Sequence, residues 1–360
     1  MAAEPAARLR VKAAHHPVRD ARGTIRLGGS VPGLTTGISD PDGWIWHLLS
    51  ELDGRRPVAD VVAAVAARFP ARGADDVLAA VLDLADAGFL EAVADRSPLS
   101  PAERERHDRG IALLAWMDRT SRVPETVQVL LRDARVTVVG VGGVGSSAAL
   151  ALCASGVGAV HCVDGDVVEL SNLNRQVLYT ESDLGRPKVA AAVARLRAHN
   201  SDVEVTGEVY RVRDAAQVRR IAADCDVVVL AADEPASIRE WTNRAGLATG
   251  TPWVHAGYHG PMVVVGAYRP GSGPCYECGL TANAPRREPL PGVSAPPNPA
   301  NAITAAMSGN LAAHLAISLL TGVPAVPLNR AYHLNLVTLV DHGLGQVVVP
   351  RPDCAACGRS

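Results

Sequence analysis

The chain has 360 residues, of which 48% are apolar and 20% are charged, and its formal net charge is −2. Such a length allows about two or three domains, and the near-neutral charge gives no electrostatic case for binding nucleic acid or an anionic membrane. No apolar stretch approaches the roughly 18 residues that span a bilayer, and no signal peptide is evident, so we expect a cytoplasmic protein without a membrane segment.

Residues 1–98 predict a small α+β domain. "LRVKA", "TIRLG" and the closing "FLEAV" have the apolar character of short strands. Three helices are predicted between the second and third of these strands: "WIWHLLSEL", one that opens at Pro57, and one from about Asp75 to Ala87. This arrangement is typical of a winged-helix-like domain. The polar, proline-containing stretch "ADRSPLSPAERERHDRG" that follows predicts a linker, which together with the first helix of the next domain fills residues 99–125.

Residues 126–360 begin with the pattern strand, glycine loop, helix, strand. An apolar strand from Val136 to Val139 leads into the loop, and the second strand ends at Asp164. Glycines let the backbone approach a phosphate, the helix N-terminus supplies unpaired N–H groups, and an aspartate at the end of the second strand can accept both ribose hydroxyls. The loop glycines are Gly140, Gly142, Gly143 and Gly145. Taken alone, this pattern also fits an NAD(P) dehydrogenase.

The polar segment behind Asp164 favours a triphosphate over a nicotinamide. A dehydrogenase needs one acidic residue there, whereas "DGDVVELSNLNRQ" adds a second aspartate, two asparagines and an arginine, and "GRPK" adds a lysine. Two cations and two amides beside a nucleotide suit a triphosphate. The candidate nucleotide-binding residues of this segment are Asp166, Ser171, Asn172, Asn174, Arg175 and Lys188.

Four cysteines form two C-x-x-C pairs that predict a metal site. The pairs are Cys275 with Cys278 and Cys354 with Cys357. Two such pairs complete a tetrahedral zinc shell without an open position for water, which is the mark of a structural site. A redox role is the alternative for a single C-x-x-C pair.

Four motifs in this order, "GVGGVG", "DGDVVELSNLNRQ", "GRPK" and the paired C-x-x-C, resemble the ThiF/MoeB/MccB group of E1-like enzymes over roughly residues 105–357. The resemblance implies a Rossmann-like E1/ThiF fold with a mainly parallel sheet, and a homodimer that uses ATP and magnesium to adenylate a carboxylate. It implies phosphate contacts from Gly143, Asn172, Arg175 and Lys188, a ribose contact from Asp164, and a magnesium ligand in Asp233. Glu234 departs from the asparagine that the family usually has after this aspartate. Arg109 is expected to reach the phosphates in the partner subunit.

The remaining histidines and cysteines near these motifs are interpreted as structural. His255 and His259 follow a predicted strand and could line the site, but a satisfied structural histidine is the preferred interpretation. Three further cysteines lie on the small-residue helix or beside apolar strands and are interpreted as buried fillers: Cys153, Cys162 and Cys225. The crossover segment between Cys278 and Asn301 contains no cysteine. By the resemblance, this argues against a thioester or persulfide intermediate.

The N-terminal domain resembles PqqD-like elements that bind leader peptides, through "LDG" before its second helix and "LADAGFLE" at the end of its third. Such an element takes an extended peptide as an added strand. A DNA-binding winged helix is disfavoured because the predicted helices carry few lysines or arginines. A purely structural cap on the dimer is a further alternative.

The function predicted from these features is adenylation of a carboxylate on a ribosomal precursor peptide in natural-product biosynthesis. One alternative is adenylation of the C-terminal Gly-Gly of a ubiquitin-like sulfur carrier protein. Another is a non-catalytic scaffold that presents a leader peptide, which the intact Asp164, Arg175, Lys188 and Asp233 argue against.

Overall fold

The computed structural model describes residues 6–29, 31, 35–282, 298–341 and 348–358. The chain divides into two compact units. The N-terminal unit is Met1–Val129 with Val323–Ala325, and the larger unit is Leu130–Gly322 with Val326–Ser360. The division of the first 125 residues into a peptide-recognition domain, a linker and a helix stays a prediction.

Within its described residues, two small antiparallel sheets and three helices of the N-terminal unit pack around one apolar core. Its strands are β1 (Leu9–Val11), β2 (Val18–Arg19), β3 (Ile25–Leu27), β4 (Thr36–Ile38) and β5 (Leu90–Ala92). Its three core-packing helices are α1 (Trp44–Glu51), α2 (Val58–Arg68) and α3 (Ala74–Asp86). β2, β3 and β4 form one sheet, and β1 pairs with β5. The three predicted helices are present, and the prediction of a small α+β domain is confirmed.

The stretch expected to be a linker is helical from Pro101 onward, so the linker is shorter than predicted, while the helix predicted within residues 99–125 is present. Helix α4 (Pro101–Met117) begins there. The Ser100 hydroxyl accepts the N–H of Glu103 at 3.2 Å, and the Glu103 carboxylate accepts the N–H of Ser100 at 2.7 Å. This is a capping box with proline at the first helical position. Only His107 and Leu114 of this helix are buried, so its sequence has no apolar stripe to reveal it. A short helix, α5 (Glu125–Arg132), follows.

One eight-stranded sheet forms the centre of the larger unit, within the residues that the structure describes. Its strands are β6 (Arg135–Val139), β7 (Ala159–Val163), β8 (Glu204–Glu208), β9 (Val227–Leu230), β10 (Trp253–His259), β11 (Met262–Tyr268), β12 (Arg330–Asn335) and β13 (Val340–Asp341). The order is β8-β7-β6-β9-β10-β11-β12-β13, in which the first five strands are parallel and the last three join antiparallel. The predicted Rossmann-like fold with a mainly parallel sheet is confirmed. The strand order reverses between β6 and β9, which is where such sheets bind ligands.

In the part of the chain that the structure describes, six α-helices accompany this sheet: α6 (Gly143–Ala154), α7 (Lys188–His199), α8 (Ala215–Ala223), α9 (Ile238–Thr249), α10 (Tyr276–Ala282) and α11 (Ala302–Thr321). By length and apolar composition α11 could cross a membrane, so the expectation that no stretch of this kind exists was wrong. The helix packs against α6, β10 and β11, and 56% of its apolar window is buried. A helix in the core of a protein has the same length and apolar composition, so these two properties alone do not establish a membrane segment. The cytoplasmic location stays a prediction.

The close contact of α11 with α6 depends on Gly309. A Cβ at this position would lie 2.3 Å from the carbonyl oxygen of Val144 and 2.7 Å from the Cβ of Ser147. We expect Gly309→Ala to lower the free energy of unfolding by about 1–3 kcal/mol, because the two helices must move apart. The difference is measured as a lower melting temperature of the full-length protein.

Gly110 supplies the matched control, since it also lies inside a helix but has no atom within 4 Å of its Cβ position. Gly110→Ala should leave stability unchanged or raise it by up to about 1 kcal/mol, the difference in helix propensity. Equal melting temperatures for the two variants would contradict the close helix contact.

Candidate nucleotide cleft and metal centre

The carboxyl ends of the five parallel strands surround a cleft of about 680 Å³. Every strand end contributes to its lining, because parallel strands bring their carboxyl ends to one edge of the sheet. The lining includes Gly140, Gly142 and Gly143 after β6, Asp164 and Asp166 after β7, Tyr210, Arg211 and Arg213 after β8, Asp233 after β9, Gly257 and Tyr258 of β10, and also Arg175, Gln176, Lys188, Arg239 and Asn298. Segments that are far apart in the sequence therefore share one site.

The glycine loop brings the N-terminus of α6 to this cleft. A Cβ at position 145 would lie 1.8 Å from the carbonyl oxygen of Gly140, so only glycine allows β6 to turn directly into the helix. Gly142 caps α6 without a side chain, and Gly142 and Gly143 both line the cleft. The unpaired N–H groups of a first helical turn, together with the helix dipole, bind anions. Gly145 itself lies outside the lining and acts through the turn.

Asp164 is held by two backbone N–H groups. Its Oδ2 accepts the N–H of Val141 and its Oδ1 accepts the N–H of Asp166, both at 2.8 Å. The Tyr179 hydroxyl donates to the carbonyl oxygen of Val141 at 2.7 Å, and burial raises the pKa of this tyrosine, which keeps it neutral. Each carboxylate oxygen of Asp164 retains a further lone pair, as a ribose hydroxyl would require.

Asp166 joins two of the cations in the cleft. Its Oδ2 accepts from Lys188 Nζ at 3.1 Å and its Oδ1 accepts from Arg211 Nη2 at 2.5 Å. Partial burial alone would raise the pKa of Asp166, but the hydrogen bonds and charges of Lys188 and Arg211 outweigh it and hold the pKa below its ordinary value. Lys188 is buried, with a side-chain exposure of 8%. The carboxylate is therefore ionised and shared at neutral pH.

Arg175 lines the cleft, whereas Ser171, Asn172 and Asn174 form hydrogen bonds within the loop. Arg175 Nη1 donates to the Ser171 carbonyl oxygen at 2.8 Å and to Asn174 Oδ1 at 2.9 Å. Asn172 is buried, and its Oδ1 accepts the N–H of Glu169 at 3.1 Å. Ser171, Asn172 and Asn174 are not among the described residues that line the cleft. Their contact with a nucleotide stays a prediction.

Several residues of the lining were not predicted from the sequence, among them the polar side chains Gln176, Arg211, Arg213 and Arg239. Gln176 directly follows Arg175 in a quoted motif, and its buried Oε1 has no hydrogen-bond partner in the described chain. Arg211 and Arg213 follow β8 in "YRVRD", the same strand-end position that revealed Asp164. Arg211 and Arg213 were not predicted because β8, "EVTGE", is polar, so the sequence does not show that a strand ends before them.

The other predicted site residues have clear positions. Asp233 is exposed on the loop after β9 and lines the cleft, where its carboxylate suits magnesium. Arg109 is exposed on α4 of the N-terminal unit, and its role stays a prediction. His255 is buried in β10 and its ring packs on three aromatic rings, which supports the structural interpretation. His259 is exposed at the end of the same strand.

The four C-x-x-C cysteines meet in one cluster at the start of α10 and near the C-terminus. Their sulfur atoms lie within 4.8 Å of one another. The Sγ–Sγ distances are 3.8 Å for Cys275–Cys278, 3.7 Å for Cys275–Cys354 and 3.5 Å for Cys278–Cys357. A tetrahedron with zinc–sulfur bonds of about 2.3 Å has edges of about 3.8 Å, so the residues fit a zinc ion.

The other three cysteines are not set up as nucleophiles. Cys153 and Cys162 are fully buried, and Cys225 is half-buried. Burial raises the pKa of Cys162 to about 12 and that of Cys225 to about 11, so neither forms a thiolate at neutral pH. Most of the crossover segment, residues 283–297, lies outside the described residues.

Comparison with known proteins gives consistent relatives. Residues 117–355 match the model of the ThiF family. Over 157 residues the chain is 41% identical to the sulfur carrier protein ThiS adenylyltransferase of Bacillus subtilis (strain 168), covering 43% of this chain and 46% of that protein. Over 252 residues it is 36% identical to the sulfur carrier protein adenylyltransferase of Thermus thermophilus, covering 64% of this chain and 84% of that protein. The chain thus spans less than half the length of the Bacillus relative.

Among solved structures, the fold matches that of MccB. The crystal structure of Escherichia coli MccB with ATP superposes with a TM-score of 0.73 at 21% identity, over 97% of this chain and 99% of that chain. The same values hold for the microcin C7 biosynthetic enzyme MccB in complex with N-formylated MccA. At this identity the likeness shows the fold.

The cysteine cluster predicts one zinc ion per chain. Cys354→Ser should release the metal and lower the melting temperature, because the free energy of metal binding is coupled to folding. Zinc content is measured by elemental analysis of the purified full-length protein. Cys225→Ser, which removes a half-buried thiol outside the cluster, should keep the zinc. Metal-free wild-type protein, or a Cys354→Ser variant of unchanged stability, would contradict the assignment.

Proposed function

Because the chain belongs to the ThiF family, we propose that it is an ATP-dependent adenylyltransferase that activates a carboxylate. The resemblance to the E1-like ThiF/MoeB/MccB group predicted from its motifs is confirmed at the level of the family, and its relatives are enzymes of this type. The observation that supports the proposal most is the cleft itself, whose lining combines a helix N-terminus, the cations Arg175, Lys188 and Arg211, and a backbone-held aspartate.

In the proposed reaction, a carboxylate oxygen of the substrate bonds to the α-phosphorus of ATP, and pyrophosphate leaves. The enzyme must stabilise the charge on the triphosphate and on the equatorial oxygens of the transition state. The N–H groups at the start of α6 and the cations Arg175 and Lys188 would bind phosphate oxygens, and Asp164 would bind the ribose. Asp233 would hold magnesium, which screens the phosphate charges. Arg109 of the partner subunit would add a further cation in a homodimer.

The zinc site would be structural in this enzyme. Four thiolates leave no open position on the metal, so it offers no site for water or substrate. Asn243 ties the cluster to α9: its Oδ1 accepts the N–H of Tyr276 at 3.1 Å, and its Nδ2 donates to Glu277 at 3.0 Å. Arg244 also binds Glu277 through two hydrogen bonds at 3.0 and 2.9 Å. Since α9 begins at the cleft with Ile238 and Arg239, the metal would stabilise one wall of the nucleotide site.

We propose a ribosomal precursor peptide as the substrate, with its leader bound by the PqqD-like N-terminal unit. Three antiparallel strands, β2 to β4, precede three helices there, and β4 pairs only with β3 among the described residues. A strand with a free edge can accept an extended peptide. The ThiF family match begins at residue 117, so the sheets and the three core-packing helices of this unit lie outside the matched residues. The match to MccB, a microcin C7 biosynthetic enzyme, covers 97% of the chain.

The second candidate substrate is the C-terminal Gly-Gly of a ubiquitin-like sulfur carrier. The names of the Bacillus and Thermus relatives favour it, since both are adenylyltransferases of sulfur carrier proteins. Neither of the two alignments extends over the whole of this chain. A scaffold without catalysis is disfavoured by the ionised, cation-paired state of Asp166 and the complete set of cleft cations.

Exchange of labelled pyrophosphate into ATP tests the reaction. Wild-type protein with its substrate should catalyse the exchange, and Arg175→Ala or Lys188→Ala should reduce the rate about 10²-fold, because each removes a contact that stabilises phosphate charge. Arg186→Ala is the matched control, since Arg186 lies near Lys188 in the sequence but forms an ion pair with Asp183 outside the cleft. Wild-type rates in both cleft variants would refute the site.

The two candidate substrates are separated by the partner that supports this exchange. A short precursor peptide encoded beside the gene should support it and bind the full-length protein in calorimetry. A proline in the middle of its leader should weaken binding, because proline removes a hydrogen-bond donor from an added strand, whereas single alanine substitutions should be tolerated. Exchange supported only by a folded ubiquitin-like protein would select the second candidate.

A further inference from the structure

Asp166 lies between two cations of the cleft, Lys188, which would bind phosphate in the proposed reaction, and Arg211. One carboxylate oxygen accepts from Lys188 at 3.1 Å and the other from Arg211 at 2.5 Å. Both partners and the aspartate line the same cleft. The backbone N–H of Lys188 also donates to the Asp166 carbonyl oxygen at 2.9 Å, so the two residues are fixed beside each other.

The burial of Lys188 explains why a counter-charge is present. The side chain is 8% exposed, and an ammonium group in such a position is costly unless an anion is beside it. Arg211 is 65% exposed and Asp166 is 43% exposed, so these two side chains can turn towards solvent or ligand. The Asp166 carboxylate therefore neutralises the charge of the buried Lys188 from the solvent-exposed side of the cleft. A phosphate would approach Lys188 from the same side.

A phosphate and this carboxylate compete for the same donors. An Arg or Lys donor binds either anion through charge-assisted hydrogen bonds, and a polyphosphate brings more acceptor oxygens and more charge than one carboxylate. A phosphate bound at Lys188 while Asp166 kept both ion pairs would also face the repulsion of the carboxylate. Binding at this point is thus an exchange of partners rather than a simple addition.

We propose that Asp166 is an internal counter-anion that holds Lys188 and Arg211 in the nucleotide-free protein, yields them to the polyphosphate of ATP, and takes them back as pyrophosphate leaves. This inference rests on the proposed function. Asp166 is then a positioning residue that keeps two cations in place. It also lowers the affinity of the site for polyphosphate, which favours release of the pyrophosphate product.

Binding of metal-free inorganic pyrophosphate to the full-length protein tests this role. In buffer without magnesium, at pH 7 and low salt, Asp166→Asn should bind pyrophosphate roughly fivefold or more tightly than wild type, because a competing negative charge is gone. The difference should shrink at high salt, since screening reduces charge competition. No magnesium is present, so a metal-ligand role of the carboxylate does not enter the measurement, and without a chelator the zinc stays bound. In the exchange assay, pyrophosphate should also inhibit the variant more strongly.

Glu234→Gln is the matched control. It removes the same charge from the lining of the same cleft, and Glu234 forms no ion pair within the described residues, so its effect should stay below about twofold. Asp166→Ser provides a second neutral variant if Asp166→Asn melts at a low temperature, and it should change affinity in the same direction. Equal or weaker pyrophosphate binding by folded Asp166 variants would overturn the inference alone. Wild-type protein that binds neither ATP nor pyrophosphate would overturn the proposed function.

Discussion

No side chain fits at position 145, because its Cβ would lie 1.8 Å from the carbonyl oxygen of Gly140. Glycine at this position lets β6 turn directly into α6. The turn places the start of α6 where the strand order reverses between β6 and β9. The remaining parallel strands end at the same edge. The turn therefore fixes where an anion can be bound, and the sheet topology delivers the charged side chains to that place.

The sequence revealed those parts of the cleft that follow apolar strands. Val136 to Val139 and the strand before Asp164 are clear apolar runs, so the glycine loop and the aspartates could be placed at strand ends from the sequence. β8 is an edge strand with the polar sequence "EVTGE", so the arginines behind it carried no positional signal. Arg239 lies in the first turn of α9, where an arginine in sequence resembles any surface charge. Its place in the cleft depends on the fold, which brings the carboxyl ends of β9 and β10 together.

Two helices were misjudged for opposite physical reasons. Helix α4 buries only two residues, so it shows no apolar periodicity, and its evidence lay in the capping box of Ser100 and Glu103. Helix α11 is apolar on nearly every side because it packs against both α6 and the sheet. A helix enclosed by protein and a helix enclosed by lipid have similar composition, since both avoid water all round. An apolar stripe in a helix sequence marks a boundary between core and solvent, and neither of these two helices has such a stripe.

Asp164 and Asp166 show how partners assign different roles to the same side chain two residues apart. The hydrogen bonds to Asp164 come from backbone N–H groups, which the fold fixes and which carry no net charge. Those to Asp166 come from a lysine and an arginine, whose side chains can turn and whose charge any anion will attract. A nucleotide needs both kinds of partner. Its sugar hydroxyls need a rigid acceptor, and its phosphates need cations that can bind them but are paired with an anion when no phosphate is bound. In the proposed site, the end of β7 would thus supply a fixed acceptor for the neutral part of the ligand and, in Asp166, a replaceable partner for the two cations that bind its charged part.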